Sequence, residues 1–468
     1  MKQQLDLKAE VTPQNLGEAI QQAIEIEIAT IPVYLYTYYS LNREPDQSAI
    51  SNALSQALVK KGLPQQEADT IALDKSAEIM VYANKVGALI MSVAIEEMLH
   101  LSLSSNLKQA LAGQPQLVNK SPDIWPAYLP GHIPPFPINR AAFSLDQLKT
   151  FLKIESPKPL QEEQTNVRTL PYATIGLFYD KIKQCIAHCD LQYNTEAAQL
   201  VPGRGYYAQN NIDTVYYDKQ HKPKFVNADD GADLIHVVDR ASAIRAIDAI
   251  VEQGEGNQGS TSLNPDGSVD CCAITPADYD DPDHEELSHF EKFAQIYCQY
   301  VDLSNKFNEL GIGDIDISQY FVLRLPTNPK TADYPASVQG VSTLLNAVYS
   351  YLYVMVEGCY RQKDNTQYEL FMFGVHKTMI FILNSLCGDI TMLKYTGPDG
   401  REYTVAPTFE NYEFRVDSSP KSQLIELYNQ AIGSTNVIST RIGQRIHDLP
   451  DVPLEPYLST SAGKLIFA

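Results

Sequence analysis

The chain has 468 residues, more than one compact core usually organises, so a single elaborated domain or two domains are expected. Hydrophobic residues make up 44%, ordinary for a globular protein, and a net charge of −21 argues against nucleic acid or anionic membranes as partners. Seven cysteines are too few for a disulfide scaffold, residues 1–8 hold no apolar signal core, and no run reads as the ~18 apolar residues of a membrane span. The expectation is a reduced, cytoplasmic protein.

The first predicted helix covers residues 15–41, with Thr12 as its cap and Pro13 in its first turn. Pro32 lies inside the pattern and frees the carbonyl of Ile28, so a kink is expected there. A polar stretch from Asn42 to about Asp69 follows. Residues 73–112 read as one long helix, stopped by Gly113 and Pro115. The proline-rich run 122–137 cannot be helical. Ser144 caps a short helix at 145–151, and 170–189 is a further candidate. Cys185, His188 and Cys189 sit there at helical spacing, but no second cysteine pair closes a zinc site, so they read as ordinary helix residues.

Residues 201–227 suggest short strands. Residues 239–251 form an amphipathic helix with Ala241, Ile244, Ile247 and Val251 on one face, ended by Gly254, Gly256 and Gly259. Asn264-Pro265-Asp266-Gly267 marks a loop, and Asp283 caps a helix running to about Leu303. Further helices are predicted at 338–361, 370–393 and 422–445. The chain is therefore mainly α: a bundle with irregular insertions over 1–303, and a helical extension over 304–468 packed on it. The extension holds no nucleophile–base or phosphate-loop pattern, and His376 among Met372, Phe373 and Met379 reads as a core histidine.

One pattern occurs twice: Glu96-Glu97-Met98-Leu99-His100 and Glu285-Glu286-Leu287-Ser288-His289. Residues three apart on a helix share a face, so Glu97 with His100, and Glu286 with His289, can each reach one ion. Dimetal bundles combine two such Glu-x-x-His helices with one glutamate from each of two others. The first helix offers Glu25 and Glu27, the third Glu252 and Glu255. Periodicity places Glu255 on the apolar face of Val251, Ile247 and Ile244. The order Glu, Glu-x-x-His, Glu, Glu-x-x-His is that of a ferritin-like fold of two helical hairpins. A single Glu-x-x-His arises by chance in many helices; two copies, each following a glutamate-bearing helix, are harder to obtain that way. A carboxylate in so apolar a helix also needs a partner, because an unpaired one costs several kcal/mol or protonates.

The run Ile24-Glu25-Ile26-Glu27-Ile28-Ala29-Thr30-Ile31-Pro32 resembles the opening helix of ferritin-like domains related to iminophenyl-pyruvate dimer synthase, of the violacein and related indolocarbazole pathways. Glu96 to His100 with Asn106, Leu107 and Gly113, then Gln253-Gly254-Glu255-Gly256, Ser288-His289-Phe290 and Ala406-Pro407-Thr408-Phe409-Glu410 are similar to later segments of that family. The resemblance spans roughly residues 10 to 415. It implies Glu27 over Glu25 and Glu255 over Glu252, giving the ligand set Glu27, Glu97, His100, Glu255, Glu286 and His289.

Two metal ions are expected, iron first, with manganese or zinc as alternatives. The expected function is a di-iron oxidase or oxygenase, or an activity like that of iminophenyl-pyruvate dimer synthase, acting with O₂ on a small organic substrate. The alternatives are an iron-handling or oxidant-scavenging protein, and a non-catalytic partner protein with a structural metal. A homo-oligomer is compatible with either. Tyr34, Tyr36, Tyr38 and Tyr39 crowd beside Pro32 and read as packing rather than redox groups.

Overall fold

A computed structural model describes residues 10–157, 172–201, 234–254, 263–272, 287–452, 458–461 and 464–467. Its centre is α3 (Gln65–Ala112), 48 residues long and, from Val86 to Leu107, buried on nearly every side. A helix apolar all round must be surrounded. It is flanked by α1 (Leu16–Tyr39), α2 (Gln47–Lys60), α6 (Arg240–Gly254) and α7 (His289–Glu309). Two accessory helices complete this half. α4 (Leu145–Ile154) lies on α7, and α5 (Ile175–His188) lies on α6 and α1.

Ser144 caps α4 as expected, its hydroxyl accepting from the Gln147 amide at 3.1 Å. Asn15, not Thr12, precedes α1, and Thr12 donates its amide to the Asn15 side chain instead. α1 continues through Pro32 to Tyr39. The polar stretch after it contains α2, capped by Asp46. α5 begins at Ile175, five residues later than expected from 170. α6 buries Ala243, Ala246, Ile247, Ile250 and Gln253, while Ala241 is exposed, so its core stripe is rotated from the expected one. The expected strands at 202–227 lie outside the described residues.

α7 begins at His289, not near Asp283. Ser288 is its cap and closes a reciprocal capping box with Glu291. The cysteines are not all reduced either: Cys271 and Cys298 form a disulfide that ties the 263–272 loop to α7.

Beyond residue 303, α8 (Ala336–Cys359) is buried along most of its length and packs on α9 (Asp364–Ile390) and α10 (Pro420–Ser434). α9 widens into π-helical turns at Leu370–His376 and Thr378–Leu383. A hairpin of β1 (Lys394–Thr396) and β2 (Glu402–Thr404) follows it. The predicted helix at 422–445 is two helices, α10 and α11 (Thr440–His447), because Ser439 caps a fresh start. Both α3 and α9 are long and apolar enough to cross a bilayer, contrary to the sequence reading; 94% of the most apolar stretch of α3 and 56% of that of α9 is buried inside the protein.

Specific bonds join this region to the bundle. Tyr360 donates to the Ser102 carbonyl at 2.9 Å, and Gln109 donates to the Tyr360 carbonyl at 2.9 Å. Glu357 accepts from the amides of Leu117 and Val118, at 2.9 and 3.2 Å. The Leu323 amide donates to the Ser40 carbonyl at 2.7 Å.

Candidate metal centre

Four helices deliver acid or imidazole to one compartment inside the bundle. Glu27 comes from the middle of α1, Glu97 and His100 from α3, Glu155 from the residue closing α4, and His289 from the first position of α7. Each is 3% exposed or less. α6 adds Gln253, and α5 adds Tyr179.

His289 Nδ1 is 3.0 Å from Glu97 Oε1 and 3.6 Å from Glu155 Oε2. His100 Nδ1 is 3.8 Å from Glu27 Oε2 and 3.9 Å from Glu97 Oε1. The two rings are stacked, with centroids 5.0 Å apart and planes 24° from parallel. Donor atoms of Glu97, His100 and His289 all lie within 4.8 Å of one another.

A second layer holds these groups in place. Thr30 donates to Glu97 Oε2 at 2.5 Å, and Tyr179 donates to Glu27 Oε1 at 2.5 Å. Tyr34 donates to Glu155 Oε1. His100 Nε2 pairs with Gln253 Oε1 at 3.0 Å. Glu96, facing away from the compartment, pairs both oxygens with Lys292 Nζ at 2.6 Å, and its Oε2 is 2.9 Å from His289 Nε2.

The electrostatics show a shortage of positive charge. Burial raises Glu27 well above the usual carboxylate range, and the Glu97 charge adds to it. Burial and Glu97 likewise raise Glu155, with His289 and Tyr34 partly offsetting them. Burial would raise Glu97 too, but His289, His100 and Thr30 more than offset it and hold it low. Burial and the neighbouring His289 push His100 down to about 4. Burial opposes a charged His289, yet Glu155, Glu96 and Glu97 together raise its pKa well above normal.

Does this set fit a metal? Metal–nitrogen and metal–oxygen bonds of ~2.0–2.2 Å put neighbouring donors on one ion roughly 3–3.5 Å apart. Of the observed gaps, 3.0 Å lies in that range and 3.6, 3.8 and 3.9 Å lie just above it, within reach of small side-chain shifts. Both ring nitrogens of His289 are buried, and although each is close to a carboxylate, neither makes an aligned hydrogen bond. Nε2 is turned to Glu96, while Nδ1, between Glu97 and Glu155, is the nitrogen that suits a cation. The enclosed space, bordered by Glu27, Glu97, His100, Glu155, Tyr179 and Gly254, measures about 20 Å³. That is room for one water-sized occupant, which needs ~10–15 Å³. The residues present fit a metal.

Of the residues proposed from sequence, Glu27, Glu97, His100 and His289 are brought together. Glu255 and Glu286 lie outside the described residues. Glu25 pairs with Lys120 at 2.8 Å, away from the compartment, and Glu252 is exposed. The described part of α7 starts at His289, with Ser288 as its cap. Glu155 also stands beside that histidine. A signal for it existed: Leu148, Phe151, Leu152 and Glu155 follow the apolar stripe of α4, and an acid on such a stripe is a buried acid.

The ferritin-like family profile matches residues 20–298, from α1 into α7. No curated protein matches the chain. Among solved structures, a ferritin-like protein from Caulobacter vibrioides is similar at 16% identity, over 79% of this chain and 95% of its own, with a TM-score of 0.43. With more than half its length under that profile, the chain belongs to the ferritin-like family.

Proposed function

We propose that this protein holds two iron ions, with manganese or zinc as alternatives, and uses them with O₂ to oxidise a small organic substrate. The observation that supports this reading is the closed compartment of three carboxylates and two imidazoles, in which no described lysine or arginine offsets the acid. Glu27, Glu97, His100, Glu155 and His289 would hold the ions, with Glu255, the residue after Gly254, as a further carboxylate. Bound there, a reduced iron pair supplies the electrons for reduction of O₂.

Glu97 is the central ligand of the proposal, since it faces both His289 and His100. Thr30 anchors its second oxygen, so the first is the one presented. Tyr34 and Tyr179 fix the outer oxygens of Glu155 and Glu27. A ligand imidazole or carboxylate must be free of its proton at the donor atom, so uptake is expected to weaken in acid.

The volume near 20 Å³ favours a second reading, because it has room for a water-sized occupant and not for an organic molecule. On that reading the protein handles iron or scavenges oxidants. An imine-coupling activity like that of iminophenyl-pyruvate dimer synthase belongs to the first reading. Anaerobic reconstitution with Fe(II), metal counting, and a stopped-flow spectrum after O₂ separate them. About two irons per chain and O₂ uptake accelerated by a small molecule, with tryptophan-derived imines in the pool, support the first. Iron oxidation without turnover supports the second, and failure to take up iron sinks both.

A further inference from the structure

We infer that the two metal positions are inequivalent, and that the buried Lys292–Glu96 pair makes the position at His289 the one that fills first; this rests on the dimetal reading above. The inner partners of the two histidines are matched. Each histidine faces Glu97, and each has one more carboxylate whose outer oxygen a tyrosine holds, Glu155 for His289 and Glu27 for His100. The outer partners differ. His100 Nε2 meets the neutral amide oxygen of Gln253, whereas His289 Nε2 lies 2.9 Å from the Glu96 carboxylate.

A carboxylate behind a ligand imidazole fixes the proton on the far nitrogen and makes the near one a stronger donor. An amide oxygen can do the first and does the second weakly. Glu96 is suited to this role rather than to ligation, because both its oxygens are taken by Lys292. Lys292 and Glu96 are 3% and 8% exposed. A buried ion pair adds little net stability and is often replaceable by apolar side chains. The contact with His289 gives the pair a reason to exist. Glu96 and Lys292 act through that ring and are positioning residues.

The test is an anaerobic cobalt(II) titration of the full chain followed by visible absorption. Wild type should load in two phases, the first absent from His289→Ala and retained in His100→Ala. The double variant Glu96→Gln/Lys292→Met removes both buried charges at once and so avoids stranding either. It should weaken the first phase about 10–100-fold and leave the second unchanged. Gln253→Glu should tighten the second phase. Two phases that respond equally, or not at all, to a double variant of native circular dichroism would overturn the inference and leave the dimetal reading standing. Wild type that takes up no cobalt would overturn both.

Discussion

Glu357 in the last turn of α8 and Glu97 inside α3 are buried to nearly the same degree, 5% and 3% exposed, each following an apolar stretch of a long helix. Their surroundings differ in kind. Glu357 accepts from two backbone amides, of Leu117 and Val118, and pairs with Arg361 at 3.3 Å. Its charge is met, and its work is to fasten the C-terminal helices to the turn after α3. Glu97 accepts from one hydroxyl and otherwise faces Glu27 and two imidazoles. Burial alone therefore does not mark a site. The mark is acid left over after every local donor has been assigned.

The sharpest way to break this contrast is metal content. His289→Ala should drop reconstituted iron from about two per chain to one or fewer, whereas Glu357→Gln should leave it unchanged. Equal iron in both proteins would erase the distinction. Next in size, Lys292→Met alone strands Glu96 as an unpaired buried carboxylate and should cost about 3–5 kcal/mol in denaturant unfolding. A loss under about 1 kcal/mol would mean that the pair is not desolvated.

The same pair shapes the acid limb of stability. Burial would raise the Glu96 pKa, but Lys292 and His289 more than offset that and lower it to about 2. A depressed folded pKa contributes stability that is full above the unfolded value near 4.5 and is lost as pH falls toward 2. The metal-free double variant should show a flatter curve across that window, and an identical curve would count against the pair. In the C-terminal region, Glu357→Ala leaves two amides without an acceptor and should cost about 1–3 kcal/mol with iron retained. The smallest effect concerns the boundary. We propose that residues 304–468 are not a separate folding unit, so cleavage within 328–336 should leave the pieces associated; a C-terminal piece folding alone on a gel-filtration column would refute this.

Much of the bundle was legible because its signals are local. The apolar run around Glu27, the end of α3 at Gly113 and the cap at Ser144 each follow from periodicity or turn chemistry, whereas α3 begins at Gln65, eight residues before its expected start. Of the candidate centre, the residues on α1 and α3 were legible for the same reason. The start of α7 was misplaced because the Glu-x-x-His spacing drew attention from a competing signal, the Ser288–Glu291 capping box, which ends the chain's approach one residue before His289. Glu155 was missed because it arrives on a helix outside the four expected, and its partners are 121 residues away at Tyr34 and more distant still at His289. The Glu96–Lys292 pair, 196 residues apart, has no local signature at all.

The tightness of the compartment also sets a clock. The acid and imidazole walls are buried, while Ile175 of α5 and Val251 of α6 on its rim are half-buried. If an ion is bound as proposed, its extraction should wait for a local movement of α5 or α6, so the rate should level off as chelator is added. The residence time of the metal then reports how often the protein breathes, which makes slow release a property of the fold and not only of the strength of its bonds to the ion.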